Sequence, residues 1–350
     1  MRFGHIVKPA LLVCLFLIVA YFVVHYFKKV HEDTATVSAW VVPEPVNRTR
    51  SCGALLAHGE ICEDSFGTRR LRPQGCFMQD YTAPTPLTAR CLESLADRSP
   101  QQNVRIVLMG DSRLRQLQHH INWLITGNWT DIDNEKGVRV RRPGSLVCDP
   151  PWKDSDDKIR SGQCNLTLST PNLNFTVQRL WDPMIAPDRA PFTLTNMLNI
   201  NDSSELPNIV IINSGAWLLK WCHDNNLTSE ACQTEHRKII FAIKPLLKRL
   251  SALTTVIWMP QTVVNRAFAT LFLTHEKNGL ISIFNDMATT LLADTNVRFW
   301  WSSHQAYERF NDTRDGIHQG PRTLLHNAQV VVNYLCNAVV SPPNSNYCCI

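Results

Sequence analysis

Four apolar runs, separated by segments of helical period, predict an α/β domain built on a mainly parallel sheet. The runs are VRIVLM (104–109), NIVIINSG (208–215), TTVIWMP (254–260) and VRFWW (297–301). Continuous runs of this kind suit strands buried on both faces rather than strands with one wet face. Between the runs, apolar residues recur at helical spacing. Leu114, Leu117, Ile121 and Leu124 mark one helix, and Ile239, Ile240, Ile243, Leu246, Leu247 and Leu250 mark a second over roughly 230–252. Helices are also expected over 279–293 and 321–339, and a weaker strand, FTVQRLW, at 175–181. Strands alternating with helices give a parallel sheet covered on both faces. Sites in such sheets open at the carboxyl ends of the strands, so the residues just after each run are the first candidates for chemistry.

In chain order, residues 1–8 are a short basic tail, and 9–27 read PALLVCLFLIVAYFVVHYF without a formal charge. About 20 apolar residues span a bilayer core, whereas the apolar part of a signal peptide is about 7–15 residues long. The run is therefore expected to be an uncleaved transmembrane helix that anchors the chain in a membrane. The alternative is a leader cut near Val37-x-Ala39. Arg2, Lys8, Lys28 and Lys29 flank this run, and the other Lys and Arg nearly balance the 30 Asp and Glu. The formal net charge of +5 thus belongs to the membrane end, and nothing suggests a nucleic-acid partner. Residues 28–50, polar with Pro43 and Pro45, read as a stem. Residues 51–100 hold Cys52, Cys62, Cys76 and Cys91 with little apolar periodicity, so this extension is expected to depend on disulfides. The α/β domain occupies 101–345.

Seven N-x-[ST] sequons begin at Asn47, Asn128, Asn165, Asn174, Asn201, Asn226 and Asn311. They suit a chain whose bulk enters the secretory lumen and is glycosylated there. Cysteine usage agrees. Beyond Cys14 in the apolar run lie eleven more, a density suited to an oxidising compartment. No C-x-x-C pair occurs, so no metal site is expected, and an odd number leaves one thiol free or paired between chains. A Golgi or other secretory-pathway membrane is the expected location.

Two short motifs carry the chemistry. After the first run, Gly110-Asp111-Ser112 places a serine at a strand-to-helix turn, where helix N-terminal N–H groups can steady an oxyanion. The plain alternative is a helix cap, a role serine often fills. Late in the chain, Asp315-Gly316-Ile317-His318 offers an imidazole to take the serine proton and a carboxylate to orient it. Alone it reads as a surface turn. Together the two motifs supply a nucleophile, a base and an acid. Arg115 lies one helical turn beyond Ser112 and could face the same site. Asn213 and Gly215 follow the second run as candidate oxyanion donors or plain turn residues. Trp217 and Trp221, just beyond, are candidate sugar platforms. His119 and His120 are adjacent on a helix and point to different faces, which argues against a metal pair.

The segments MGDSRLRQL, NSGAW and DGIH resemble the SGNH/GDSL hydrolases, and within them the PC-esterase branch. More narrowly, the ordered features from Ser51-Cys52 through Trp258-x-x-Gln261 to Cys336-Asn337 and Cys348-Cys349 resemble the luminal domain of the animal sialate O-acetyltransferase. The resemblance implies a three-layer α/β/α sandwich and acyl-ester chemistry on a glycan hydroxyl. It gives Ser112 the nucleophile role, with Asp315 and His318 as acid and base. Arg113 and Arg115 match its two arginines after the serine. Its usual Gly-x-Asn-Asp order is not present, and Gly144 is a candidate for its second-block glycine.

These features together lead to an expected O-acetyltransferase acting on sialic-acid-like glycan hydroxyls. The same residues also serve a carbohydrate O-acetylesterase, and a catalytically silent glycan-binding protein is the non-enzymatic alternative. No bound cofactor is expected; acetyl-CoA or another acetyl donor would be a co-substrate. The family's multi-helix membrane region is not present in this sequence, so a multi-span membrane acyltransferase partner is expected to supply what that region does.

Overall fold

The fold, taken from a computed structural model, is described for residues 55–63, 69–73, 81, 91–95, 103–126, 145–148, 163–170, 173–199, 206–264, 275–313 and 315–340. They lie within one unit spanning 50–350. The tail, the apolar run at 9–27 and the stem lie outside them, as do Asn47, Asn128, Asn201 and Gly144. Among the described residues, no helix is long and apolar enough to cross a membrane.

The chain opens with an antiparallel pair, β1 (Gly59–Glu63) and β2 (Arg69–Pro73). It then enters β3 (Asn103–Gly110) and α1 (Ser112–Thr126). Next come β4 (Ser145–Cys148), β5 (Gln163–Thr170), β6 (Leu173–Trp181) and α2 (Ala190–Leu198). The second half runs through β7 (Ile209–Ile212), α3 (Ala216–Asp224), α4 (Ser229–Leu253) and β8 (Thr255–Trp258). It closes with α5 (His275–Leu291), β9 (Arg298–Phe299), α6 (Trp301–Phe310) and α7 (Pro321–Val340).

Seven strands form one sheet in the order β4-β5-β6-β3-β7-β8-β9. Strands β6, β3, β7, β8 and β9 are mutually parallel, and β4 and β5 continue one edge antiparallel. The central strand alternates between two cores. Val104, Ile106 and Leu108 face a cluster with Leu114, Leu117 and Ile121 of α1 and Val331 and Leu335 of α7. Val107 and Met109 face the other cluster, with Leu194 of α2, Leu218 of α3, Ile240 and Leu247 of α4, and Phe284 of α5. Helices therefore cover both faces, and every residue of β7 is buried. From β3 the chain builds outward to β6 on one side and then to β7 on the other. That reversal opens a crevice at the carboxyl end of β3, where ligands bind in open sheets.

Two departures from the sequence expectation have clear causes. The run 297–301 is strand only at Arg298–Phe299, and Trp301 already begins α6. Trp300 is fully buried, and its indole N–H donates to Ser302 Oγ (3.0 Å), a bond that favours turning into the helix. The antiparallel strands β4 and β5 escaped notice because β4 is only four residues long and QCNLTLST of β5 is mostly polar, without the continuous apolar run that marks the central strands.

The N-terminal extension contacts α6 and α7. Ser302 Oγ donates to Leu55 O (2.6 Å), and Gln305 exchanges two hydrogen bonds with Gly59. Cys91 is disulfide-bonded to Cys336 on α7, and Cys222 to Cys232.

Candidate active site

At the end of β3 the backbone is forced close to its neighbour. A Cβ on Gly110 would lie 2.5 Å from the Asn213 carbonyl oxygen, so only glycine fits there. The Gly110 carbonyl accepts from Asp182 N–H (3.1 Å), which ties the turn to β6. Asp111 is buried and caps the helix that follows: its Oδ1 accepts from Arg113 N–H (2.9 Å). Burial pushes the Asp111 carboxyl up, against the opposing pull of the Arg113 cation. Ser112 thus begins α1 with its hydroxyl at the sheet's carboxyl edge.

The second motif is a loop between α6 and α7. Asn311, in the left-handed conformation, ends α6, and Gly316 takes a positive φ of 80°. Side chains hold each backbone group at its tip. Gly316 N–H donates to Thr313 Oγ1, and the N–H groups of Ile317 and His318 both donate to Asp315 Oδ1. The three carbonyls are held as well: that of Gly316 by Tyr307 Oη, that of Ile317 by Arg113 Nη2, and that of His318 by Thr313 Oγ1. Beyond the loop, Asp312 accepts from Arg322 N–H (2.6 Å) and Thr323 N–H (3.1 Å), which caps α7. Gly320 packs on the Asp312 carbonyl, where a Cβ would lie 1.6 Å away.

The two motifs meet. Ser112 Oγ lies 2.7 Å from His318 Nε2, and His318 Nδ1 lies 2.5 Å from Asp315 Oδ2. The Asp315 side chain is 46% exposed. Burial pushes its carboxyl up, but the His318 ring, together with the His318 and Ile317 N–H groups, holds it below its ordinary value. Such a chain can move the serine proton onto Nε2 while the carboxylate fixes the imidazole and balances its charge.

The remaining candidates divide. Arg113 is 1% exposed, so it does not line the crevice as a substrate ligand would; its Nη2 donates to Thr262 O (3.2 Å) and Ile317 O (3.1 Å). Asn213 is also a correction. It is fully buried, and its amide donates to Met259 O (2.9 Å) and Gln261 Oε1 (3.4 Å), tying the exits of β7 and β8 together instead of aiming a donor at Ser112. Gly215 sits at the start of α3 with φ 135°. Trp217 packs edge-on against Trp181 at 6.1 Å, and Trp221, one turn on, is 38% exposed. The Arg115 guanidinium lies 6.0 Å from the centre of the Trp181 ring, and Arg179 stands at the same distance. His119 and His120 are both buried; burial pushes the His119 imidazole down to about 3, and His120 Nδ1 lies 2.9 Å from Gln116 O.

Sequence reasoning passed over Trp181, Tyr307 and Thr313. Trp181 is in register with Gly110, so the strand-end rule applied to 175–181 would have found it. Tyr307 and Thr313 carry no motif. Of the described sequons, Asn165 and Asn174 lie on β5 and β6, Asn226 precedes α4, and Asn311 ends α6.

No protein-family model matches the chain. A curated relative, the N-acetylneuraminate (7)9-O-acetyltransferase of Danio rerio, is 24% identical over 301 residues, covering 85% of this chain and 32% of that protein. The chain thus spans about a third of the length of that relative. Among solved structures, a peptidoglycan O-acetylesterase aligns with 76% of this chain and 99% of its own at 11% identity and TM-score 0.42. An acetylxylan esterase from Geobacillus stearothermophilus aligns with 69% of this chain and 95% of its own at 12% identity and TM-score 0.33.

Proposed function

We propose that this chain, which is similar to the SGNH/GDSL enzymes and within them to the animal sialate O-acetyltransferase, handles acetyl groups on glycans through an acyl-enzyme on Ser112. The observation that carries this reading is the chain Ser112–His318–Asp315, with contacts of 2.7 Å and 2.5 Å. His318 Nε2 takes the Ser112 proton as Oγ attacks the acetyl carbonyl. The Ser112 N–H, at the start of α1, faces the developing oxyanion, with Arg115 as a second donor. Collapse expels the donor's leaving group, protonated by His318, and leaves acetyl-Ser112. An acceptor hydroxyl then gives its proton to His318 as its oxygen attacks the acetyl carbonyl, and collapse breaks the bond to Ser112 Oγ, which takes the proton back from His318. Trp181, in register with Gly110 at the end of β6, and Trp217, packed edge-on against it, are the aromatic groups proposed to border a bound sugar ring.

The finer reading is a luminal O-acetyltransferase of a Golgi or related membrane, acting on sialic-acid-like hydroxyls from acetyl-CoA or another acetyl donor, with a multi-span membrane partner for donor delivery. The sequence likeness to a transferase, the seven sequons and the apolar run at 9–27 support it. The esterase is the second reading, since the same three residues serve water as the acceptor.

The test uses the full chain from a secretory host, solubilised in detergent, beside Ser112→Ala. Acetyl release from an O-acetylated sugar is measured against acetyl transfer from acetyl-CoA to sialosides. Transfer without release supports the transferase and release alone the esterase; neither activity, or activity kept in Ser112→Ala, removes the acyl-enzyme.

A further inference from the structure

Arg113 neighbours the nucleophile and points away from solvent. Its backbone N–H is held by Asp111 Oδ1, and its guanidinium reaches two carbonyls from other parts of the fold: Thr262 O, beyond β8, and Ile317 O, next to His318. One side chain thus joins the start of α1, the exit of β8 and the loop that carries the imidazole. Burying a cation this deeply is costly, so a neutral donor would serve if hydrogen bonding to two carbonyls were the only requirement. The carboxylates whose negative charge favours this cation are Asp111 and Asp315. Asp315 is the carboxylate that holds His318. Arg113 therefore bonds to the backbone of the imidazole loop and interacts through space with the carboxylate that orients the ring.

We propose that Arg113 is a positioning residue for the reaction at Ser112, and that it sets the placement of His318 over Ser112 by clamping the Ile317 carbonyl against the exit of β8. This rests on the acyl-enzyme reading above. Arg113 acts on the reacting atoms only through the loop and does not touch the substrate. Misplacement of a base by about 1 Å costs on the order of 10²-fold in rate, so the clamp governs turnover and leaves substrate affinity unchanged. Lysine keeps the charge but is a single point donor on a flexible stem, so it restores only part of the function.

The test compares full-length wild type, Ser112→Ala, Arg113→Lys and Arg113→Met. The probes are a fluorophosphonate for the Ser112 labelling rate and 4-nitrophenyl acetate for kcat and KM. Arg113→Met is expected to lose about 100-fold in labelling rate and kcat with KM within about twofold of wild type, and Arg113→Lys is expected to recover to within about tenfold. Arg113→Met could fail to fold, so Arg113→Lys at an unchanged unfolding temperature is the deciding variant. Arg113→Lys labelling and turning over as fast as wild type overturns the positioning role and leaves the acyl-enzyme intact. A rise in KM at constant kcat overturns it in favour of a substrate ligand. Wild type that shows no Ser112-dependent labelling removes the acyl-enzyme and the positioning role together, an outcome distinct from the other two.

Discussion

Ser112 and His318 are held by opposite means. Ser112 stands between a strand and a helix, and the main chain fixes it: Gly110 is wedged against Asn213, the Gly110 carbonyl is bonded to β6, and α1 follows at once. His318 stands in a loop with no regular structure, and side chains fix it: Asp315, Thr313, Tyr307 and Arg113 take up every N–H and C=O from Gly316 to His318. A backbone-built site is specified by sheet packing, so it is robust to most single side-chain changes and intolerant of added bulk. A side-chain-built site is modular, so its braces can be removed one at a time and their costs graded.

Substitutions can break this contrast in order of severity. Ser112→Ala or His318→Ala removes a reacting group, and acyl transfer to 4-nitrophenyl acetate should fall at least about 10⁴-fold with the unfolding midpoint unchanged. Asp315→Asn keeps the size of the brace but loses its charge and the correct imidazole tautomer; kcat should fall about 10³-fold, since the side chain is partly solvated. Gly110→Ala tests the backbone-built half. The added Cβ meets main chain, so the protein should lose about 2 kcal/mol or more in denaturant titration, with activity falling in step with folded fraction. Tyr307→Phe tests the other half most gently. Losing one hydrogen bond to Gly316 should lower kcat about fivefold, corresponding to about 1 kcal/mol. A Gly110→Ala protein as stable as wild type, or a Tyr307→Phe protein as impaired as Asp315→Asn, would erase the distinction.

The same contrast explains what the sequence made legible. β3, its turn and α1 could be read because an apolar run, a glycine and a helical stripe are local signals. The pairing of Ser112 with Asp315 and His318 was legible as two motifs, although no spacing between them encodes their meeting. The bracing roles were not legible: Tyr307 and Thr313 carry no motif, and Arg113, although part of the nucleophile segment, braces by where its guanidinium lands after folding. Arg113 shows the difficulty best. Read beside Ser112 it looks like a substrate ligand, and only its burial turns it inward. Asn213 misled in the same way, since a strand-end asparagine near a nucleophile is equally suited to tying two strand exits together.

Ser112 and His318 are 206 positions apart in the chain, and His318 lies just before the last described helix. At roughly 5–20 residues per second of synthesis, roughly 10–40 s separate the appearance of Ser112 from that of His318. Cys91 likewise waits for Cys336, which follows later still. A nascent chain therefore carries its serine through most of translation without a general base beside it. On the proposed mechanism, acyl chemistry begins only after the C-terminal part has been made and docked, so a stalled or shortened chain would be inert rather than a loose, unselective hydrolase.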